Sequence, residues 1–355
     1  MITSEISTAQ PDLRQVGLHP DYWYPLAWSR DLKRGKVLGV EFAGEPVVIA
    51  RTESGELFAL EDRCAHRQLP LSLGVMEKNC LRCCYHGWSY NAQGKVAKIP
   101  YLPRGMQAPR GVRQYPCREA YGLIYVFMGS PEAHAMAQFP EFAAGNSNDY
   151  RVMYFSRTVN CHYSFMHENL LDMNHQFLHR RLMGTIQPTL LQQSKGQTWV
   201  EAQYKFENVS NQQHLGADLL LAGEQKNPET ANFDIMTIRT EYPYQTLKIQ
   251  RPGSAEALIN LWVCYVPVGA DQRKHHSFGL LGIRRPKIPG LMTLFWPIMR
   301  YFAEAVFTED RSAVEAEQRA YDQQGGDWNQ EIFPVILDVR ELLCRQGRSV
   351  KEMIS

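Results

Sequence analysis

The stretch that most constrains this chain runs from Cys64 to Trp88 and reads CAHRQLPLSLGVMEKNCLRCCYHGW. Cys64-Ala-His66 opens it and Cys83-Cys84-Tyr85-His86-Gly87-Trp88 closes it, with sixteen residues between His66 and Cys83. Each end brings one thiolate and one imidazole. Two such pairs on paired hairpin tips suit a two-iron, two-sulfide cluster, with sulfur ligands on one iron and nitrogen ligands on the other. Zinc also accepts two Cys and two His, but zinc fingers usually group the cysteines together and the histidines together. Gly87 permits close approach of backbone N–H groups to a cluster. Cys80 and Cys83 superficially form a Cys-x-x-Cys pair. Because Cys83 is needed for the spacing to His86, Cys80 and Cys84 read as small buried fillers.

Around this stretch the pattern is one of short β-like runs. Tyr24–Trp28, Val37–Phe42, Val47–Arg51 and Leu57–Leu60 precede it and Gly122–Met128 follows, with turns at Gly44-Glu-Pro, Ser54-Gly and Asn91–Gly94. This predicts a small antiparallel β domain over 20–135, after a flexible lead-in over 1–19. Gly129 to Gly145 reads as a linker. Apolar residues at Phe165, Met166, Leu170, Leu171 and Phe177, with few Gly or Pro, predict a helix over 160–181. Strand-like segments return over 195–285, and a helical tail is expected from Leu291 to Leu343.

A second constellation lies in that first helix: His167-Glu-Asn-Leu-Leu-Asp172-Met-Asn-His175-Gln-Phe-Leu-His179. On one helix, Asp172, His175 and His179 at i, i+3 and i+7 share a face. Two imidazoles plus a distant carboxylate make the facial triad of a non-haem Fe(II) oxygenase, which leaves positions open for O₂ and substrate. A zinc hydrolase also places two histidines at i, i+4, but its general-base Glu is replaced here by Gln176. His162 and His167 read as ordinary partly buried or surface residues. The best distant carboxylate is Asp310, expected to open an amphipathic helix, with Glu309 as the alternative. From position alone a solvated first-turn carboxylate, favoured by the helix dipole, is the better reading of Asp310.

The remaining composition narrows the function classes. At 355 residues the chain suffices for about two domains. A net charge of +1 gives no whole-chain argument for nucleic acid or an acidic membrane surface. The N-terminal MITSEISTAQPDLRQVG has no apolar h-region, so the eight cysteines read as thiols and metal ligands, and the cytoplasm is the expected compartment. Leu291 to Phe307 is greasy but interrupted by Pro297 and Arg300. A partly buried helix fits it better than a membrane-facing one, and no transmembrane segment is expected.

Cluster, linker, Glu-Asn-Leu-Leu-Asp-x-x-His and the late Glu309-Asp310-Arg311 together resemble the α subunit of a Rieske non-haem iron oxygenase, over roughly Trp23 to Gln318. The compact length resembles the homotrimeric vanillate and dicamba demethylase branch. The resemblance implies an α+β chain: a Rieske [2Fe-2S] domain ligated by Cys64, His66, Cys83 and His86, then a helix-grip catalytic domain over 136–355. It assigns His175, His179 and Asp310 to a mononuclear Fe(II), with Asp172 and Asn169 as catalytic residues. Asp172 is expected to link His175 of one subunit to His86 of another. The family usually places four residues between its iron histidines; here three intervene. The implied chemistry is hydroxylation or oxidative demethylation of an apolar or aromatic small molecule with O₂. Its electrons come from NAD(P)H through a separate reductase, with or without a ferredoxin. The rival class is a non-catalytic Rieske electron carrier.

Overall fold

Apolar runs cut by Gly-bearing turns build the N-terminal half from short antiparallel strands. The structure, a computed structural model, describes residues 12–103, 105–208, 233–254 and 256–350. Lys36–Phe42, Glu45–Arg51 and Leu57–Glu61 form a meander that Gln114–Tyr115 extends to four strands. Its first turn is Ala43-Gly44, with φ of 50° and 84°. Two-residue hairpins favour this mirror-image turn because it matches the twist of the flanking strands. A second four-stranded sheet comprises Val75–Glu77, Cys80–Arg82, Ser89–Tyr90 and Val96–Lys98. Trp23–Trp28 pairs with Leu123–Phe127, which pairs with Cys117–Ala120. The strands expected from Tyr24 to Met128 therefore lie within two residues of their predicted bounds.

The C-terminal half is built on one seven-stranded antiparallel sheet. Its spatial order is Tyr150–Val159, Lys274–Arg284, Ala257–Val268, Tyr244–Gln250, Phe233–Glu241, Trp199–Asn208 and Ile186–Lys195. Among the described residues there are five α-helices: α1 (Pro131–Met136), α2 (Tyr163–Leu171), α3 (Arg180–Met183), α4 (Leu291–Gln324) and α5 (Pro334–Gln346). Helix α2 packs on the sheet strands Phe233–Glu241 and Ala257–Val268 and also touches α4 and α5. The two halves share one core: Trp28 meets Phe278 with ring centroids 5.6 Å apart, and its indole N–H donates to Ser156 (2.9 Å).

Four expectations are corrected. The lead-in is ordered from Asp12 on: Val16–Gly17 pairs with Arg348–Ser349, and the buried Arg14 guanidinium lies 3.6 Å over the Phe165 ring and pairs with Glu168. Glu168 also holds Arg340 (2.8 Å), so α2 is clamped from both chain ends. Removing one partner from such a buried pair strands a charge at a cost of about 3–5 kcal/mol. The helix expected over 160–181 stops at Leu171, because Asp172 turns extended (φ −80°, ψ 92°) and its carboxylate accepts from the Asn174 N–H. A short polar side chain bonding to nearby backbone competes with helix continuation in this way. A 3-10 turn, Met173–Phe177, and α3 replace the rest. The expected tail is two helices, since Gly325 adopts φ 74° and closes α4 with its N–H on the Tyr321 carbonyl. Finally, Tyr150–Val159 and Ile186–Lys195 are strands that the sequence reading did not anticipate. Of the strand-like segments expected over 195–285, the apolar Leu219–Ala222 lies outside the described residues.

Candidate metal centres

Two loops of the N-terminal half face each other. Each is closed by a matching backbone bond: Cys64 N–H to the Leu69 carbonyl, and Cys83 N–H to the Trp88 carbonyl, both 2.8 Å. Gly87 sits at φ 71° inside the second loop, where any Cβ would come within 3.0 Å of the Pro100 ring. The thiols of Cys64 and Cys83 are 2% exposed, whereas His66 and His86 are exposed, with ring centroids 4.6 Å apart. Sulfur inside and imidazole outside is the polarity a two-iron cluster needs if its nitrogen-bound iron is to exchange electrons at the surface. His66 stacks flat on Trp88 at 4.8 Å. The Tyr90 hydroxyl lies 3.1 Å from Cys64 Sγ and accepts from the Ala65 N–H (3.0 Å). Burial first, then the Cys64 thiol, pushes the Tyr90 phenol well above its ordinary value, so it stays a donor toward the sulfur. Cys80 is half-buried and Cys84 exposed, so the reading of both as buried fillers fails. Cys84 follows Cys83 on the loop tip, where nothing covers it.

The second constellation comes together without the single helix that was expected to present it. His175 sits in the 3-10 turn and His179 caps α3, while Asp310 projects from the middle of α4 rather than opening a helix. Donor atoms of these three residues all lie within 4.8 Å of one another. Asp310 Oδ1 is 3.1 Å from His179 Nε2 and 3.7 Å from His175 Nε2, and it accepts from Asn169 Nδ2 at 3.1 Å. With Asp310 only 13% exposed at its side chain, the solvated-carboxylate alternative does not describe it.

The outer nitrogens decide what the inner ones are. His179 Nδ1 is 2.8 Å from Glu309 Oε2, and His175 Nδ1 contacts the Asp172 main-chain carbonyl. A carboxylate and a carbonyl only accept, so both Nδ1 atoms carry a proton, and each Nε2 is the nitrogen left to face Asp310. Both Nε2 atoms face one carboxylate oxygen, and His179 Nε2 lies at ion-pair distance from it (3.1 Å). Positive charge is what satisfies such an arrangement, either a second proton on His179 or a cation bound by all three side chains. Two imidazoles and one carboxylate on one side of the site fit Fe(II) with open positions.

Three details differ from expectation. The Asp172 carboxylate bonds Asn174 N and Nδ2 (2.9 and 3.0 Å), and it is the Asp172 backbone carbonyl that meets His175. Glu309 is a partner of His179, not a substitute for Asp310. His162 and His167 are fully buried, neither partly buried nor at the surface. Burial, then the neighbouring His275, holds His167 down at about 3, so it is neutral. Nothing in its local sequence separates a buried neutral His from an exposed one. The shortened spacing between His175 and His179 is accommodated by the 3-10 turn, which Gln176 anchors through its Nε2 on the Ile186 carbonyl (2.8 Å).

Among the described residues no helix is long and apolar enough to cross a membrane. Residues 22–116 match the Rieske [2Fe-2S] domain, and residues 159–345, more than half of the chain, match the vanillate O-demethylase oxygenase C-terminal domain. The chain is 28% identical to a 4beta-methylsterol monooxygenase of Methylococcus capsulatus over 96% of this chain and 91% of that protein. It is 25% identical to the oxygenase component of dicamba O-demethylase from Stenotrophomonas maltophilia, covering 93% and 96%. The fold matches the crystal structure of dicamba monooxygenase bound to 3,6-dichlorosalicylic acid with a TM-score of 0.73 at 22% identity, over 93% of this chain and 98% of that one. A [2Fe-2S] domain joined to the vanillate demethylase catalytic domain makes this chain a member of the Rieske non-haem iron oxygenase α subunits, on their demethylase-like branch.

Proposed function

We propose that this oxygenase hydroxylates or oxidatively demethylates an apolar or aromatic small molecule, with Cys64, His66, Cys83 and His86 holding the cluster and His175, His179 and Asp310 holding the mononuclear iron. The observation that carries the second assignment is the convergence of two imidazoles and a carboxylate whose donor atoms all lie within 4.8 Å of one another. When loaded, the cluster supplies electrons singly and the iron supplies the place where O₂ is reduced beside the substrate. The chain's own residues do the positioning. Glu309 and the Asp172 carbonyl fix both imidazole tautomers, as outer partners of metal-bound histidines do. Asn169 holds Asp310 through one carboxylate oxygen.

The domain division that fits this reading is 20–135 for electron entry and 136–355 for catalysis. His66 and His86 are exposed, so electrons leave at the surface. The reading therefore takes the working unit as a homotrimer, in which Asp172 lies between His175 of one copy and His86 of another. A separate reductase, with or without a ferredoxin, feeds the cluster from NAD(P)H, and the cytoplasm is the compartment where that donor is available.

Iron counting tests the assignment. The wild type should hold three irons per chain, and His175→Ala should hold two, with the visible cluster spectrum unchanged and turnover abolished. Two irons in the wild type would leave only an electron carrier, and three irons in His175→Ala would refute the ligand set.

A further inference from the structure

The first four turns of α4 have two apolar faces. Met292, Trp296, Met299 and Ala303 pack against Met153, Leu281 and Ile283 of the sheet. On the far side, Leu294, Ile298, Tyr301 and Phe302 are 41% to 76% exposed. Their spacing of i, i+4, i+7 and i+8 puts them on one stripe. A surface helix normally turns charged residues outward, and an outward stripe of large apolar side chains marks an interaction site.

The charge beside the stripe has one sign. From Arg284 to Ala303, the segment that leads into and forms this part of the helix, the chain carries no Asp or Glu and four Lys or Arg. Arg285, Lys287 and Arg300 are exposed, and so is Ile288 in the loop that leads into the helix. The acids of neighbouring elements are already engaged: Glu304 with Arg157, Glu256 with Arg284, and Asp149 with the Ser147 hydroxyl. The cations border the apolar stripe without interrupting it, so a surface that covers the stripe must bring negative charge to its edge.

We infer that this face of α4, with Arg285, Lys287 and Arg300 at its rim, docks on an anionic phospholipid surface, the helix lying in the plane of the headgroups. An apolar stripe bordered by Lys and Arg is the composition of in-plane amphipathic helices. Ile298 stands twelve residues before Asp310, about 18 Å along the helix axis, so the docked face and the metal site share one rigid element. The inference does not depend on which residues hold iron.

The test is flotation of the purified holoenzyme with vesicles of phosphatidylcholine alone and of phosphatidylcholine mixed with phosphatidylglycerol. Binding should require the anionic lipid and weaken with salt. Removing each rim cation (Lys287→Ala, Arg285→Ala) should lower binding roughly fivefold. Ile298→Ser with Leu294→Ser should lower it further, with the cluster spectrum and the oligomeric state unchanged. No binding to either vesicle, undiminished binding by the serine variant, or a change of oligomeric state in that variant would each overturn the inference, the last by showing that another copy of the chain covers the face.

Discussion

The two metal centres are assembled on opposite principles. Cys64 to His86 spans 23 residues; the second loop is the tip of the hairpin Cys80–Arg82/Ser89–Tyr90, the first links strands of two sheets, and each is closed by its own backbone bond. His175 and Asp310 are 135 residues apart and meet only because α2, the 3-10 turn and α4 stack beside the large sheet. The first site therefore tolerates changes elsewhere in the fold, whereas the second inherits every shift in how α4 packs. The contrast extends to their surroundings: buried thiols behind exposed imidazoles at one site, and a buried imidazole behind a second carboxylate at the other.

The comparison breaks first at Asp172, which belongs to both sites if the centres meet between copies. Asp172→Asn should lower turnover roughly 100-fold, the upper range for outer partners of metal ligands, while iron content and cluster spectrum stay those of the wild type. Stopped-flow reoxidation of the reduced cluster would register the loss, and a normal rate would separate the two centres again. Glu309→Ala comes next, because it frees the outer nitrogen of His179. Iron affinity at the mononuclear site should fall roughly tenfold, read by chelator competition, with Glu309→Gln recovering part of it and the cluster unaffected. The smallest effect is expected at Tyr90→Phe, which removes the hydroxyl 3.1 Å from Cys64 Sγ. Hydrogen bonds to cluster sulfur tune the potential, so protein-film voltammetry should find it lowered with all iron retained.

Much of this was legible from residue types and spacing. The cluster loops, the flanking strands and the histidine pair follow from local pattern, since a hairpin tip is set by a few turn residues and a ligand pair by its offset. The helix over 160–181 misled because Asp172 is at once a good helix-face residue and a good cap, and its carboxylate took the cap. Asp310 was found only through the Glu-Asp-Arg motif, and its place in mid-helix was misjudged because the 34-residue α4 begins with an apolar, Pro-containing segment. The segment Leu291–Phe307 is the partly buried helix expected of it, but hydrophobicity alone does not say which of its two apolar faces the sheet covers.

By itself, the sequence determined the chemistry available to this protein: which thiols and imidazoles are paired, that a second iron set exists, and that the strands are short and antiparallel. These depend on neighbours within a few residues, where backbone geometry leaves few options. Only the tertiary structure decided that Asp310 comes within 3.1 Å of His179 Nε2, that Glu309 holds the outer nitrogen of His179, and that Arg14 and Arg340 clamp α2 through Glu168. Each of those contacts joins residues more than a hundred positions apart, and a contact of that kind is fixed by which faces the core buries.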